Sequence, residues 1–447
     1  MNDNLIGHGF IDYAFVFFMI AYAYWAGQTK PHRILYILPA CISCFFFIPL
    51  GSMLTADKLV PIIYIGSVIL SKGANYFSSN NNNDNSWVGR VWLLIAFSVI
   101  IGFLYTNYYA SYINTPLIKT RLLIQIISYS NFILIFIIIR KECTKLYGKQ
   151  RLLKAFIITT TVLCFYGIYQ YFAHQFGWSY RGIVYSANKT GFGGFQGGEN
   201  LVFRVNSFAN EPKRLTYFLV ISLIILFKYK NELIKKIKLL PYCFLFIIHG
   251  TVLWLTYSTS IYISIGVFLL FLMIYTLFIN FNKTLFRQLT VLIVLGLSTY
   301  LYQKVYLDTL YEVRVDKQLE QEEIRAELKG QEFILDYPEM FILGIGPGNY
   351  NFALAKEYPG KSGLSGHGRF LIPFNSALMT YMFDFGIIGL FLLLIPFLKI
   401  LFNNKIASKN DFSIFIIFLY CTAITLNPSS TLFFFIGAFE GVKNIEE

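Results

Sequence analysis

Charged side chains are scarce in this chain. Asp, Glu, Lys and Arg make up only 14% of its 447 residues and hydrophobic residues make up 56%, whereas soluble domains average about 25% charged residues. So little charge cannot cover the surface of an ordinary soluble domain, and the composition predicts a polytopic membrane protein. Basic residues outnumber acidic ones, 37 to 24. They are scattered between apolar runs rather than gathered in a stripe among exposed aromatic residues, so we expect no nucleic-acid partner.

Cysteine is also rare, and other expected signals are missing. The six cysteines are too few and too scattered for a disulfide framework, and no group of histidines and cysteines has the spacing of a zinc site. No Asp-x-Asp triplet offers a metal clamp for a nucleotide sugar. We therefore expect neither a bound metal nor another cofactor. Residues 1–10 contain no Lys or Arg, so the first apolar run is expected to be a retained span and not a cleaved signal peptide.

Long apolar runs recur along the whole chain. A helix needs about 17 to 25 such residues to cross a ~30 Å hydrocarbon layer. Counting two shorter runs, 59–71 and 431–442, the sequence predicts an all-α polytopic protein with roughly eleven to thirteen transmembrane helices. The other assigned runs are 10–26, 33–53, 88–107, 122–139, 152–173, 214–229, 239–257, 260–279, 289–306, 375–399 and 412–426.

Basic residues between the spans orient the chain, because short loops rich in Lys and Arg stay cytoplasmic. The segments 140–154 and 228–238 are the clearest such loops. With both inside, a first outer segment (174–213) and a second outer segment (307–374) lie on the opposite, outer side of the membrane. The predicted regions are an N-terminal bundle (1–173), the first outer segment, central helices (214–306), the second outer segment and C-terminal helices (375–447).

Lys119 and Arg121 go against this orientation. Both stand at the outer end of the 122–139 span, where the rule expects few basic residues. They are either substrate contacts or anchors at the membrane interface.

Charge is concentrated just before the apolar run 215–227. Arg204, Glu211, Lys213 and Arg214 lie within eleven residues there. A charge at the edge of the bilayer is costly unless it pairs or faces a water-filled cavity, so such residues are functional candidates. Anchoring of the helix end by side chains that reach the interface would explain Lys213 and Arg214. It leaves Arg204 and Glu211 unexplained.

The second outer segment is long enough to form a small subdomain. Residues 311–335 combine many charges with apolar residues at helical spacing, which predicts one or two amphipathic helices lying over the membrane core. Pro338 should end them. The run Gly-Ile-Gly-Pro-Gly-Asn-Tyr at 344–350 lacks the preceding strand and the Lys-Ser/Thr pair of a nucleotide loop. It is expected to be a tight bend, able to expose amides to an anion.

In their order, these features resemble the bacterial O-antigen polymerase and O-antigen ligase superfamily. That family has a short outer loop with an arginine and a Glu/Asn-Pro pair, then a long outer loop with a second arginine, the glycine turn and a His-Asn pair. An acidic residue precedes a Gly-Ile-Ile-Gly run. The matching positions fall within residues 200–395: Arg204, Ser207, Glu211 and Pro212, then Leu255 to Ser258, Arg325, 344–350, Asn375, Asp384 and 386–389.

The resemblance implies a glycosyltransferase of the bacterial inner (plasma) membrane that acts at the periplasmic face. Its expected partners are an undecaprenyl-diphosphate-linked oligosaccharide, membrane lipids and a chain-length regulator protein. Two departures from the family pattern bear on its role. Phe374 stands where ligases have the histidine proposed to activate the acceptor, with His367 as a candidate substitute, and Thr259 stands where the family often has arginine. Glu211-Pro212, where ligases more often have Asn-Pro, favours a polymerase.

A metal-free enzyme must stabilise the departing diphosphate with its own cations, and arginine meets phosphate with two parallel hydrogen bonds. Arg204 and Arg325 are the main candidates, although Arg325 alternatively pairs with neighbouring glutamates in a charged helix. The acceptor hydroxyl needs a general base. Glu211 and His367 are the candidates, and we favour Glu211 because it lies between the cations. Lys213, Arg214, Arg369 and Asn375 complete the expected substrate-binding set.

Two other functions stay open. A ligase would transfer finished polymer to the lipid A core, and a transporter would bind the same lipid-linked glycan without bond chemistry. Transporters typically contain internal repeats and helices broken near the middle of the membrane. The sequence has no visible repeat and gathers its polar residues in the outer segments, which favours an enzyme.

Overall fold

The computed structural model describes residues 5–6, 9–50, 52–77, 86–110, 117–181, 203–209, 211–278, 326–357, 374–402 and 412–446. Within these ranges the chain is almost entirely helical, with two small two-stranded sheets. Five of the described helices are long and apolar enough to cross a membrane. This confirms an all-α protein with the helices of a membrane protein. The five helices cover Phe10–Gln28, Trp87–Tyr109, Arg121–Cys143, Gly148–Phe176 and Ala377–Phe402.

The elements follow one another in a simple order. The first half contains β1 (Leu5–Ile6), α1 (Phe10–Gln28), a 3-10 helix (Pro31–Tyr36), α2 (Leu38–Ser43), β2 (Phe47–Leu50), β3 (Ser52–Thr55), α3 (Ala56–Lys72), a 3-10 turn (Ala74–Phe77), α4 (Ser86–Ala110), α5 (Leu117–Cys143), α6 (Gly148–Phe176) and β4 (Tyr180–Arg181). The second half contains α7 (Pro212–Lys228), α8 (Lys230–Ile237), α9 (Leu239–Leu255), α10 (Thr259–Phe278), α11 (Ala326–Asp336), α12 (Pro338–Leu343), α13 (Tyr350–Glu357), α14 (Ala377–Phe402), α15 (Ser413–Thr422) and α16 (Ser429–Glu446).

One predicted span is wrong in form. In place of a continuous helix over 33–53, the chain forms the 3-10 helix, the six-residue α2 and an antiparallel hairpin of β2 and β3. Pro39 and Pro49 lie within this run and disfavour a continuous helix, because proline lacks the N–H that a helix interior needs and disfavours a helical residue before it. The short run 59–71, by contrast, forms the 17-residue α3. The predicted span 289–306 lies outside the described residues.

Three helices of the second outer segment, α11 to α13, are described. Helix α11 ends at Asp336 and Pro338 opens α12, as the proline predicted. Helix α12 packs along α14, and α13 contacts both α4 and α14. The described end of the region expected to be amphipathic, α11, contacts α12 and α13, and its position over the membrane core stays a prediction.

Helices α5 and α16 pack closely through two glycines of α16. A Cβ atom on Gly437 would lie 2.7 Å from the Phe136 carbonyl oxygen, and one on Gly441 would lie 2.6 Å from that of Arg140. Small residues four positions apart let two helix backbones approach in this way. The pair therefore fixes the C-terminal helix against the centre of the bundle.

We expect Gly437→Leu to destabilise the protein by about 1–3 kcal/mol, because the added side chain must push α16 away from α5. The melting temperature of the purified protein in detergent measures this effect. Gly250→Leu in α9 is the matched control, since nothing lies within 4 Å of a Cβ built there. Equal melting temperatures for the two variants would contradict the assigned packing.

Candidate functional site

Three of the predicted site residues meet at the start of α7. Lys213 Nζ lies 2.9 Å from Glu211 Oε2 and 2.5 Å from Asn375 Oδ1. Lys213 and Asn375 are 162 positions apart, so this contact joins the first predicted outer segment to the chain that follows the second. The Lys213 and Glu211 side chains are 32% and 33% exposed. These three residues, the Lys213 cluster, therefore form a polar group that is tied together yet open to solvent.

Several helices begin around the Lys213 cluster. Helix α7 starts at Pro212 and α14 starts just after Asn375. The first amides of α14 are satisfied by the α15–α16 connection, since Ala377 N donates to the Leu426 carbonyl at 3.1 Å. Helix α16 starts three residues after Leu426, at Ser429. Helices α7 and α14 thus begin beside the Lys213 cluster, and the positive end of the α7 dipole favours a negative charge there.

Arg204 lies at the C-terminal end of α9. Its Nε donates to the carbonyl oxygen of Thr256, the C-cap of α9, at 3.0 Å, and Val205 N donates to the Leu255 carbonyl at 3.1 Å. A cation at a helix C-terminus stabilises the helix dipole, so Arg204 has a structural contact that the sequence did not reveal. Val205 and Leu215 belong to one buried cluster, which holds the Arg204 segment against the first turns of α7.

Gln170 fixes the backbone between Arg204 and the Lys213 cluster. Its Oε1 accepts from Asn206 N at 3.1 Å and from Ser207 N at 2.9 Å, while its Nε2 donates to Asn206 Oδ1 at 2.7 Å. Ser207 adopts a left-handed conformation, with φ of 52°. Sequence reasoning missed Gln170, although a fully buried amide inside the apolar span 152–173 is an available signal.

Arg214 and a further carboxylate lie near the same helix start. The buried Tyr217 hydroxyl is under the electrostatic influence of Arg214, Asp57 and Glu211. Asp57 belongs to the first turn of α3 and was not predicted. The start of α7 therefore gathers charges of both signs.

The glycine turn at 344–349 fills a break in α14. Gly386 has φ of 67° and interrupts the helix, and Ile345 N donates to the Phe383 carbonyl at 2.7 Å. Only glycine fits at the crossing, because a Cβ on Gly346 would lie 2.1 Å from Gly102 Cα. The turn is thus a tight bend as predicted, inserted between α4, α5 and α14.

The buried Asp384 side chain is hydrogen-bonded to the glycine turn. This fully buried carboxylate accepts from Gly348 N at 3.2 Å and from the Tyr129 hydroxyl at 2.5 Å. Asn349 adds bonds from its Nδ2 to the carbonyls of Gly102 and Ile345, both at 2.9 Å. The expected exposure of turn amides to an external anion is wrong for Gly348, because its partner is the chain's own carboxylate.

Arg121 contacts the second outer segment. Its guanidinium lies 5.9 Å from the Tyr350 ring centroid. The Asn351 amide, oriented with its oxygen toward the guanidinium, accepts from Arg121 Nη2 at 2.5 Å. Tyr350 stacks on the buried Phe374 at 4.3 Å, and Phe374 precedes Asn375. These contacts connect Arg121 to the Lys213 cluster and assign Phe374 a packing role.

Three predicted site residues, Arg325, His367 and Arg369, lie outside the described residues. Within the described part of the chain, no three or more His, Cys, Asp or Glu side chains gather where they could hold a metal ion. No family model matches the chain, and no curated protein matches it significantly. The resemblance to the polymerase and ligase superfamily therefore stays a prediction that rests on the quoted residues.

Proposed function

We propose that this protein is an O-antigen or capsular polysaccharide polymerase. It transfers glycan from an undecaprenyl-diphosphate donor to a lipid-linked repeat unit at the periplasmic face of the inner membrane. The observation that carries the proposal is the Lys213 cluster, in which an ammonium, a carboxylate and an amide meet beside the starts of α7 and α14. A diphosphate leaving group and an acceptor hydroxyl call for this combination of charges.

The chain's own cations stabilise the leaving group in this proposal. Lys213 and Arg214 stand at the positive end of α7, and Arg204 and Arg121 lie on segments that contact the same region. Arg204 uses its Nε to cap α9. Arg325 is included on the family resemblance. An arginine fork suits a diphosphate better than a lysine because it can hold two oxygens at once.

Glu211 is assigned as the general base. The acceptor hydroxyl oxygen bonds to the anomeric carbon of the donor sugar while the bond from that carbon to the diphosphate oxygen breaks. The bonding electrons leave with the diphosphate, and the hydroxyl proton passes to Glu211. Lys213 holds one carboxylate oxygen at 2.9 Å and fixes its direction, and one third of the side chain remains exposed to meet the acceptor.

One observation favours a transporter as a second candidate. Helix α14 is broken at Gly386, and broken helices commonly form the binding sites of transporters. Here the break is filled by the glycine turn, whose Gly348 N donates to Asp384 and whose Ile345 N donates to the Phe383 carbonyl. A break that is packed with the chain's own backbone supports a static role better than a transport site.

Deleting the gene separates the three functions. A missing polymerase should leave lipid A, or its equivalent acceptor, with at most one repeat unit. A missing ligase should leave a bare core while long polymer accumulates on undecaprenyl diphosphate. We expect the first pattern on a gel of surface glycans, and plasmid-borne wild-type protein should restore long chains. Accumulated lipid-linked polymer would refute the polymerase in favour of the ligase, and an unaltered glycan profile would point to transport of another solute.

A further inference from the structure

A group of basic residues lies far from the Lys213 cluster, around the end of α1 and the start of α6. Its members, the Arg33 group, are His32 and Arg33 in the 3-10 helix, Lys141 in α5, Lys145 just after α5, and Arg151 in α6. The 3-10 helix contacts both α5 and α6. The rise along α6 from Arg151 to Gln170, which holds the Arg204 segment, is roughly 28 Å. This end of the bundle includes the basic segment 140–154 and is therefore predicted to be cytoplasmic.

Glu142, the carboxylate beside the Arg33 group, is already occupied. Its Oε1 accepts from the Tyr64 hydroxyl at 3.0 Å and from the Tyr76 hydroxyl at 2.8 Å, and its Oε2 accepts from Lys145 Nζ at 2.6 Å. The Glu142 side chain is fully buried. Its charge is balanced by Lys145, so it does not neutralise the other cations of the group.

Three members of the Arg33 group keep their hydrogen-bonding capacity open. Within the described part of the chain, the side chains of His32, Arg33 and Arg151 form neither a hydrogen bond nor an ion pair, and all three are partly exposed. Burial lowers the pKa of His32, and the charges of Arg151 and Lys145 lower it further. The imidazole is therefore neutral at pH 7, and the surface around it has a positive potential that a bound anion would relieve.

An aromatic stripe on α1 leads to Arg33. Phe18, Tyr22 and Trp25 follow one another at helical spacing on one face of α1. The ring centroids of Phe18 and Tyr22 lie 6.2 Å apart, and those of Tyr22 and Trp25 lie 5.4 Å apart. Phe18 and Trp25 are 61% and 40% exposed. The Arg33 guanidinium carbon lies 4.7 Å from the Trp25 ring centroid, so an exposed apolar surface ends at an open cation.

An anionic phospholipid matches this order of surfaces. Tryptophan favours the headgroup level of a membrane, which puts the stripe beside acyl chains and the arginines beside phosphates. Arginine meets phosphate with two parallel hydrogen bonds, and basic pockets between membrane helices on the cytoplasmic side bind anionic headgroups. Anchoring of a helix end at the interface would explain Arg33 by itself. It does not explain why Arg151, from another helix, meets the same positive surface.

We propose that Arg33, Arg151 and the aromatic stripe of α1 form a binding site for one anionic phospholipid. Its phosphate contacts the two arginines, and an acyl chain lies along Trp25, Tyr22 and Phe18. The bound lipid neutralises the Arg33 group and joins α1 to α6. This site is separate from the proposed glycosyl transfer and does not depend on it.

The test uses purified full-length protein in detergent with phosphatidylglycerol or phosphatidylcholine added, and native mass spectrometry measures the bound lipid. We expect wild type to bind phosphatidylglycerol more tightly. The double variant Arg33→Ala/Arg151→Ala should bind phosphatidylglycerol about thirtyfold more weakly, because two charges that attract an anionic headgroup are lost. Its binding of phosphatidylcholine should change little, which also reports that the variant is folded. Trp25→Ala should weaken both lipids, because the apolar contact does not depend on the headgroup charge.

Lys235→Ala/Lys236→Ala is the matched control. These exposed lysines of α8 belong to the other basic segment predicted to be cytoplasmic, so the control removes the same charge from the same side. We expect wild-type binding of phosphatidylglycerol from it. An equal loss in the two double variants, no loss in Arg33→Ala/Arg151→Ala, or equal binding of the two lipids by wild type would overturn the site. Displacement of phosphatidylglycerol by inorganic phosphate at equal concentration would assign the arginines to a soluble anion and overturn the lipid.

Discussion

Glu211→Gln should abolish polymer formation while the protein keeps its fold and its abundance in the membrane. The amide has nearly the same shape but cannot take the proton of the acceptor hydroxyl, and loss of a general base typically lowers the rate about 10²- to 10⁴-fold. Glu211 is the N-cap of α7 but makes no side-chain capping bond, so the substitution removes no cap. The rate of chain elongation by purified protein on lipid-linked repeat units measures the effect.

Glu232→Gln is the control for this experiment. Glu232 is an exposed carboxylate in α8, so its substitution changes net charge equally without touching the Lys213 cluster. We expect wild-type elongation from it. If Glu211→Gln also elongated at the wild-type rate, Glu211 would not be the base and His367 would become the leading candidate.

Gly346→Val should destabilise the fold by about 2–5 kcal/mol. Two effects add, because Gly346 has φ of +82° and because its Cβ would meet Gly102 Cα at 2.1 Å. Left-handed backbone costs a residue with a side chain about 1–2 kcal/mol, and overpacking costs about 1–3 kcal/mol more. Membrane abundance and the melting temperature of purified protein report the loss.

Gly89→Val, on the same helix as Gly102, is the matched control because nothing lies within 4 Å of a Cβ built there. Its side chain should cost little beyond helix propensity. Should Gly346→Val melt at the same temperature as this control, the insertion of the turn between α4 and α14 would be refuted.

The length of the apolar runs predicted most long helices. A helix that spans a membrane is apolar over about 20 residues, and this length is visible in the sequence without any capping or turn signal. The prediction of one helix over 33–53 was wrong because run length ignores proline, and Pro39 and Pro49 lie within a run that forms part of a 3-10 helix, α2 and a hairpin. The short α3 was harder to assign because its apolar run, 59–71, is shorter than a span needs. Proline content alone would not have separated the two cases, because α3 continues through Pro61.

The candidate site was predictable in part. Glu211, Lys213 and Asn375 were selected from the sequence, and the structure brings them together across 162 positions. The insertion of the glycine turn into the break at Gly386 was not predictable, because it depends on a contact with Gly102 that no local pattern encodes. Arg121 was visible only as an exception to the charge rule, and its contact with Asn351 shows that it packs against the second outer segment.

The most direct test of glycosyl transfer uses wild-type protein in lipid nanodiscs with one substrate, the undecaprenyl-diphosphate-linked repeat unit. A polymerase needs nothing else, because the same molecule serves as donor and acceptor. We predict a ladder of lipid-linked glycans that grows by whole repeat units and releases one undecaprenyl diphosphate for each bond formed. Repeat units that remain single after prolonged incubation, with the protein folded and the lipid bound, would contradict the proposed function.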